Sequence, residues 1–397
     1  MTSLRTVEEH RRIVDALLPD LGAARLPLAN AQGRVLAGDL VAPIDLPPFD
    51  NSAMDGYALR AADLATLPVT LPVSVDIPAG SVSPEPLAPG TAARIMTGAP
   101  TPDGTEVIVP VELTDAGVRE VTIRSAPQPG VHIRRHGEDV RSGGVVLRAG
   151  TTLGPTQLAV AAALGVAEVD VVRAAEVLIL STGSELVAPG GTLGPGQIFE
   201  SNAVMLAAAV RAIGGHARVL QFVPDDAAQF TAALTAALDG VDVVVTTGGV
   251  SAGAYEVVKD ALTGQGVEFA KVSMQPGGPQ GAGRFAGVPV VTFPGNPVSA
   301  FVSFEVFLRP VLLRAMGSAV QTRTVSRVPL AEAVDSPAGR RQFRRAVFDR
   351  AAHTVKPWGG PGSHLLSWLA GADSMLVIAE NETRLEPGDP VEVWLLE

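Results

Sequence analysis

Apolar and polar positions follow two rhythms along this chain. Between residues 173 and 318, strand-length apolar runs alternate with longer stretches whose apolar residues recur every three or four positions. "EVLIL" runs into "STGSEL", and "SNAVMLAAAVRAIGG" reads as a helix capped by Ser201 or Asn202 and stopped by glycines. "ARVLQFV" is a strand, and "PDDAAQFTAALTAALDG" sets Phe230, Leu234 and Leu238 at i, i+4 and i+8 of a helix. "VDVVV" then predicts a strand, 267–273 and 288–293 two more, and 297 to about 316 a helix. Alternating units of this length predict a mostly parallel sheet with helices on both faces.

Elsewhere the rhythm is short. From 20 to 172, apolar runs at 69–75, 106–111 and 118–123 are separated by Pro/Gly turns, and no long helix is expected between 63 and 141. Two helices frame this β-rich stretch. One starts at the capping box Thr6-x-x-Glu9 and ends before Pro19; the other covers 156–164 with Pro155 in its first turn. After Gly317, "TVSRVPLAEAV", "RQFRRAVFD", "MLVIAE" and "PVEVWLL" predict a small β-barrel or sandwich. No internal repeat is evident.

Composition narrows the function classes. Hydrophobic residues make up 47% of the 397 and charged residues 18%, which suits a folded multidomain chain. A formal charge of −11 argues against a nucleic-acid partner. The absence of cysteine removes disulfides and thiolate chemistry. The N-terminus lacks a secretory apolar stretch, and the longest charge-free apolar run, 285–304, contains three prolines. A cytoplasmic protein without membrane insertion is expected.

Ligands of an open parallel sheet sit beyond the carboxyl ends of its strands. Four such ends are polar here: "STGSEL" with Thr182, Gly183 and Glu185; "VPDD" with Asp225 and Asp226; "TTGGVSAGAYE" with Gly248, Gly249, Ser251, Gly253 and Glu256; and "FPGNPVS" with Asn296 and Pro297. Glycines let backbone approach a ligand, and helix-opening N–H groups favour anions. Glu185, Asp225 and Glu256 would repel phosphate unless a divalent cation such as Mg²⁺ lay between them. A phosphorylated ligand with Mg²⁺ is therefore expected. Each loop alone is more often a turn and a helix cap; the four together carry the functional reading. No P-loop and no G-x-G-x-x-G is present. Two further patches, "PPFDNSAMDGYALR", read as one loop, and "HIRRHGEDV", gather Asp50, Asp55, Tyr57, Arg135 and Asp139. A solvated ion-pair face accounts for the arginines of the second, and a metal held by His132 and His136 is not expected.

Taken in order, "PPFDNSAMDGYALRAAD", "RIMTGAP", "IRRHGEDV", "STGSEL", "TTGGVSAGAYEVVK", "FPGNPVSAFVSF", "GRRQFRRAVF" and "GSHLLSWLAGADSMLVI" resemble the MoeA/gephyrin E-domain family of molybdopterin molybdenumtransferases over nearly the whole chain. The resemblance implies a homodimer of four-domain subunits. These are domain I (1–45 and 141–172), a β-rich insertion (46–140), a MoaB/MogA-like molybdopterin-binding α/β domain (173–318) and a β-barrel (319–397). It implies insertion of molybdenum from molybdate into adenylylated molybdopterin, with AMP released in a step requiring a divalent cation. Molybdopterin adenylyltransferase and molybdoenzymes are implied as possible partners. Asp55, Thr97 and Asp139 match positions that face the partner subunit's cleft, and Glu185, Asp225 and Asp226 match the acidic cleft residues. Glu256 stands where the family usually has Asp, and Lys271 is in register with a family lysine. Arg340, Arg345 and Ser363 match positions associated with an oxyanion. "MQPGGP" departs from the family's two lysines, which are replaced by Gln275 and Gly278. That departure keeps open a gephyrin-like scaffold binding peptides of membrane, cytoskeletal or cell-division proteins.

Overall fold

The computed structural model describes residues 4–82, 84–223, 226–249 and 257–396. The chain divides into two compact units, Met1–Ala24 with Gly33–Ala37 and Val171–Glu397, and Arg25–Gln32 with Gly38–Asp170.

In the first unit a six-stranded sheet runs in the order His216–Val223, Glu176–Thr182, Val243–Thr247, Val288–Phe293, Pro279–Phe285, Val267–Lys271. The first four are parallel, and Pro279–Phe285 is antiparallel to both neighbours. Val243–Thr247 is buried along its whole length, as a strand covered on both faces must be. Val177, Ile179, Val245, Val291 and Phe293 pack with helix Asn202–Ala212 and the helix opening at Pro297. The alternate residues Leu178, Leu180, Val244 and Val290 pack with helices Ala227–Ala237 and Val257–Leu262.

The reversed strand Pro279–Phe285 has no counterpart in the apolar pattern. Its glycines explain why: a Cβ on Gly281 would lie 2.4 Å from Thr292 Oγ1, and one on Gly283 2.1 Å from Gly266 O. Close backbone packing here excludes the side chains that announce a strand. The strand beginning at Val267 ends at Lys271 rather than 273.

The helix expected from 297 to 316 is α over Pro297–Ser303, π over Phe304–Leu308 and α again over Arg309–Ala315. Pro310 has no N–H for the carbonyl of Val306, and Arg11 Nε donates to that oxygen instead at 3.2 Å. Arg11 lies on helix Val7–Leu17, whose capping box is formed as expected: Glu9 N donates to Thr6 Oγ1 (3.1 Å) and Thr6 N to Glu9 Oε2 (2.8 Å). Inside the π stretch the buried Glu305 takes a two-pronged ion pair from Arg323, at 2.9 and 2.8 Å.

The C-terminal strands form the expected barrel. Val325–Pro329 pairs with Pro390–Leu395, that with Ser374–Ile378, that with Arg341–Asp349, and that with Thr354–Pro357. Leu330 then bridges to Val355 and closes the ring around Val328, Ala346, Leu376 and Val393. Met274–Gln275 joins the edge of Arg341–Asp349 in parallel, coupling the barrel to the loop between Val267–Lys271 and Pro279–Phe285 of the central sheet.

The second unit holds a five-stranded sheet, Val107–Pro110, Gly56–Leu59, Ala92–Ile95, Val69–Ile77, Glu120–Ile123. The stretch read as one loop, "PPFDNSAMDGYALR", is instead broken by strands Asn51–Ser52 and Gly56–Leu59. Tyr57 is fully buried in the second of these, its hydroxyl donating to Gly117 O at 2.9 Å. A Cβ on Gly56 would lie 2.1 Å from Val109 O, so the motif's glycine is a packing requirement. Helix Pro155–Ala163 forms where expected. Between 63 and 141 the described helical turns are short 3₁₀ segments.

Candidate active site

A cleft of about 1380 Å³ opens where Glu176–Thr182, Val243–Thr247 and Val288–Phe293 end. The register sets Ser181 beside Thr247 and Thr247 beside Phe293, so three loops leave the sheet side by side. Each turns on glycine or proline. Gly248 and Gly249 have φ of +89° and +64°, left-handed values that a side chain would strain. A Cβ on Gly248 would lie 2.9 Å from Thr182 O, and one on Gly295 3.3 Å from Gly248 Cα. The floor of the cleft is therefore backbone, nested too tightly for side chains.

One wall is a two-stranded parallel ribbon, Leu186–Val187 with Ile198–Phe199, tied by Ile198 N donating to Glu185 O at 2.8 Å. Glu185 itself is exposed. Its carboxylate lies against Gly183, where a Cβ would meet Oε2 at 2.6 Å, and it accepts no hydrogen bond from the described residues. A free carboxylate on a cleft wall is chemically suited to a hard cation. Its two expected companions, Asp225 and Glu256, lie outside the described residues, as do Ser251 and Gly253. Among the described residues no three His, Cys, Asp or Glu side chains gather as a metal site.

Opposite, Asn296 occupies the cap position of the Pro297 helix but makes no side-chain cap bond. It is exposed in the cleft and free to meet a ligand. Ser363 also lines the cleft, and its carbonyl accepts from Val298 N (3.1 Å), the second residue of that helix. Thr182, Gly183, Gly248, Gly249, Asn296, Pro297 and Ser363 thus line one cleft together with Glu185.

Other expected residues are placed differently. Asp226 caps helix Ala227–Ala237, accepting from Gln229 N at 2.8 Å. Lys271 is exposed at the end of its strand and does not line the cleft. Arg340 sits in the turn before Arg341–Asp349, half-buried, likewise off the cleft lining. Arg345 is only 5% exposed; its two terminal nitrogens are already engaged, while Nε is buried without a partner among the described residues. Arg345 donates to the carbonyls of Gly360, Gly362 (3.1 Å) and Leu365 (3.4 Å), holding the loop that presents Ser363. Burial and the neighbouring Arg344 press its pKa below the ordinary arginine value. Gln275 faces the cleft with Oε1 accepting from Gln342 Nε2 at 3.2 Å, while Gly278 does not line it.

In the second unit, Asp55 Oδ1 accepts from both Thr97 N (2.7 Å) and Thr97 Oγ1 (2.8 Å). These bonds hold the Asp55 carboxyl below the usual aspartate range. Asp139 is exposed, its backbone N–H on Leu46 O. Nearby, Asp50 takes Arg135 and the N–H of His136, and Asp45 takes His136, an ion-pair face as expected.

Sequence reasoning missed Glu200. Neither Ser201 nor Asn202 supplies the expected side-chain cap of helix Asn202–Ala212; Glu200 does, with Oε1 accepting from Ala203 N at 2.7 Å. The same oxygen accepts from Ser181 Oγ at 3.0 Å, and Ser181 Oγ lies 3.2 Å from Thr247 Oγ1. The one available signal was an acid three residues before Ala203, at the edge of "ESNAV".

An α/β sheet with a polar strand-end cleft, joined to a β-barrel and a β-rich unit, defines the class as multidomain α/β proteins with a ligand-sized cleft. Three family models match in succession. These are the MoeA N-terminal region (domain I and II) over residues 5–165, a "Probable molybdopterin binding domain" over 178–314, and the MoeA C-terminal region (domain IV) over 327–396. Molybdopterin molybdenumtransferase 2 of Mycobacterium tuberculosis is 52% identical over 98% of this chain and 99% of its own. Molybdopterin molybdenumtransferase of Haemophilus influenzae is 35% identical over 93% and 92%. A solved structure of the molybdopterin biosynthesis MoeA protein of Pyrococcus horikoshii aligns with a TM-score of 0.81 at 30% identity, covering 99% of this chain and 100% of that one. The chain belongs to the MoeA family. Among the described residues no helix is long and apolar enough to cross a membrane.

Proposed function

We propose that this protein is a molybdopterin molybdenumtransferase, inserting molybdenum from molybdate into adenylylated molybdopterin with release of AMP. The observation that carries the reading is the cleft: tight glycine turns at three adjacent strand ends, with Glu185 unpaired among the described residues and Asn296 making no side-chain cap bond. The full-length similarity to proteins named as these transferases supports it, and does not favour the peptide-scaffold alternative.

In this reading the backbone of Gly248 and Gly249 cradles the phosphate, and Thr182 and Asn296 add polar contacts. Glu185, with Asp225 and Glu256, would hold Mg²⁺, whose charge would offset that of the phosphate oxygens. Ser363 would contact the oxyanion, with Arg345 holding its loop, and Gln275 would present a neutral amide there. The proposal includes the four-domain division, a homodimer in which Asp55, Thr97 and Asp139 serve the partner's cleft, and a cytoplasmic location. Molybdopterin adenylyltransferase and molybdoenzymes would be the neighbouring proteins.

The test is anaerobic incubation of the purified protein with adenylylated molybdopterin, molybdate and Mg²⁺. AMP release and activation of an added cofactor-free molybdoenzyme are followed together. Both signals are expected, and the absence of both would overturn the reading. Glu185→Ala should lower AMP release roughly 100-fold or more while shifting Tm by no more than about 2 °C.

A further inference from the structure

Glu200 is an acid 3% exposed, deep in the wall of the cleft, with no cation against it among the described residues. A buried carboxylate is retained against its desolvation only where it is well hydrogen-bonded. Here one oxygen does the work of two. Oε1 takes Ser181 Oγ and Ala203 N, whereas Oε2 is buried without a partner. The bonds that are made reach several cleft loops at once. Ser181 precedes the Thr182–Gly183 turn and shares its hydroxyl with Thr247, which precedes Gly248. Glu200 N donates to Val187 O at 2.9 Å and so fastens the ribbon that carries Glu185. Two residues on, Asn202 Nδ2 donates to Gly295 O at 2.7 Å and anchors the third strand-end loop.

We propose that Glu200 is a positioning residue that fixes the strand-end turns of the cleft relative to one another. It touches no ligand, since both oxygens are buried; it acts through Ser181, Thr247 and the first turn of the Asn202 helix. The glycine turns of the floor have no side chains of their own with which to lock their mutual spacing. A tie among their flanking hydroxyls supplies that lock. The kinetic part of this inference rests on the transferase reading above; the geometric part does not.

The test compares Glu200→Ala, Glu200→Gln and Ser181→Ala in the full-length protein by two readouts. The first is amide hydrogen exchange in peptides covering 181–187 and 243–249 without ligand. Glu200→Ala and Ser181→Ala should each speed exchange there about tenfold, while Glu200→Gln, which keeps an acceptor oxygen, stays within about twofold of wild type. The second is AMP release with adenylylated molybdopterin and molybdate. KM for the pterin should rise roughly five- to tenfold in the two alanine variants with kcat within about twofold, and Glu200→Gln should restore it. The double variant should be no worse than the worse single one, because both changes cut the same tie. If Glu200→Ala fails to fold, Ser181→Ala, which leaves the helix cap in place, decides the matter alone. Unchanged exchange in a folded Ser181→Ala protein would overturn the proposal, as would Glu200→Gln behaving like Glu200→Ala. A wild-type protein that releases no AMP would sink the transferase reading instead, and the exchange comparison would still stand.

Discussion

The strand-end cleft of the first unit and the Asp55 turn of the second use the same residue types in opposite ways. In and behind the cleft walls, Ser181, Thr247, Glu200 and Arg345 are buried and bonded to one another or to carbonyls. At the Asp55 turn the two polar side chains are exposed, and the Asp55 carboxylate is met by Thr97 among the described residues. A polar residue in a motif can therefore be scaffold or contact, and burial with its hydrogen bonds decides which. Inside, removing one partner leaves the other unsatisfied away from water; outside, water replaces it.

Arg345 should give the largest effect of any single substitution at neutral pH if this contrast holds. Arg345→Ala removes bonds to three carbonyls and leaves them in a partly closed loop. A loss on the order of 3 kcal/mol is expected in urea unfolding. Arg345→Lys should recover little, because a single ammonium cannot span the carbonyls that the planar fork reaches. A lysine variant with wild-type stability and no AMP release would break the contrast. It would make Arg345 a ligand for the oxyanion rather than the brace of the Ser363 loop.

Burial also sets the second prediction, at His10 on the N-terminal helix. Its ring is fully buried edge-on to Phe307, with centroids 4.7 Å apart, and Nε2 has no partner. Burial first, and the Arg5 guanidinium second, lower its pKa to about 3. The unfolded chain binds a proton near pH 6.5 and the fold does not, so the contribution to stability is complete above that value. As pH falls from 6.5 towards 3, stability should drop by about 1.4 kcal/mol per unit from this group. His10→Leu should flatten that part of the stability–pH curve. An unchanged slope would mean that another group carries the acid sensitivity.

The same contrast explains what could be read from the sequence. The parallel strands were legible because burial on both faces forces continuous apolar runs such as "EVLIL" and "VDVVV". Strand 279–285 was illegible because close packing had replaced its side chains with glycine. Glu185, Asn296 and the Gly248–Gly249 turn were legible because exposed loop chemistry is not masked by packing demands. Glu200 was not: an acid before a helix reads as surface electrostatics, and only the fold brings Ser181 beneath it. Arg345 was read as an anion ligand by resemblance, and nothing in "RQFRRAVF" announces that Gly360, Gly362 and Leu365 carbonyls would surround it.

The smallest effect is expected at the surface pair. Thr97→Val removes the hydroxyl bond to Asp55 but keeps the backbone N–H bond, which is the larger cause of the lowered pKa. The Asp55 carboxyl should therefore titrate closer to the ordinary aspartate value of about 3.9 yet remain below it. Its contribution to stability is present above the ordinary value and lost as pH falls through the lowered one, so the variant narrows that window from its acid side. Carbon-detected NMR titration of Asp55 would read the change directly, with Tm at neutral pH unaltered to within about 1 °C. An Asp55 pKa that does not move would show that the backbone bond alone sets it. The Thr97 hydroxyl would then be free to serve a ligand, and the surface pair would resemble the cleft more closely than the contrast allows.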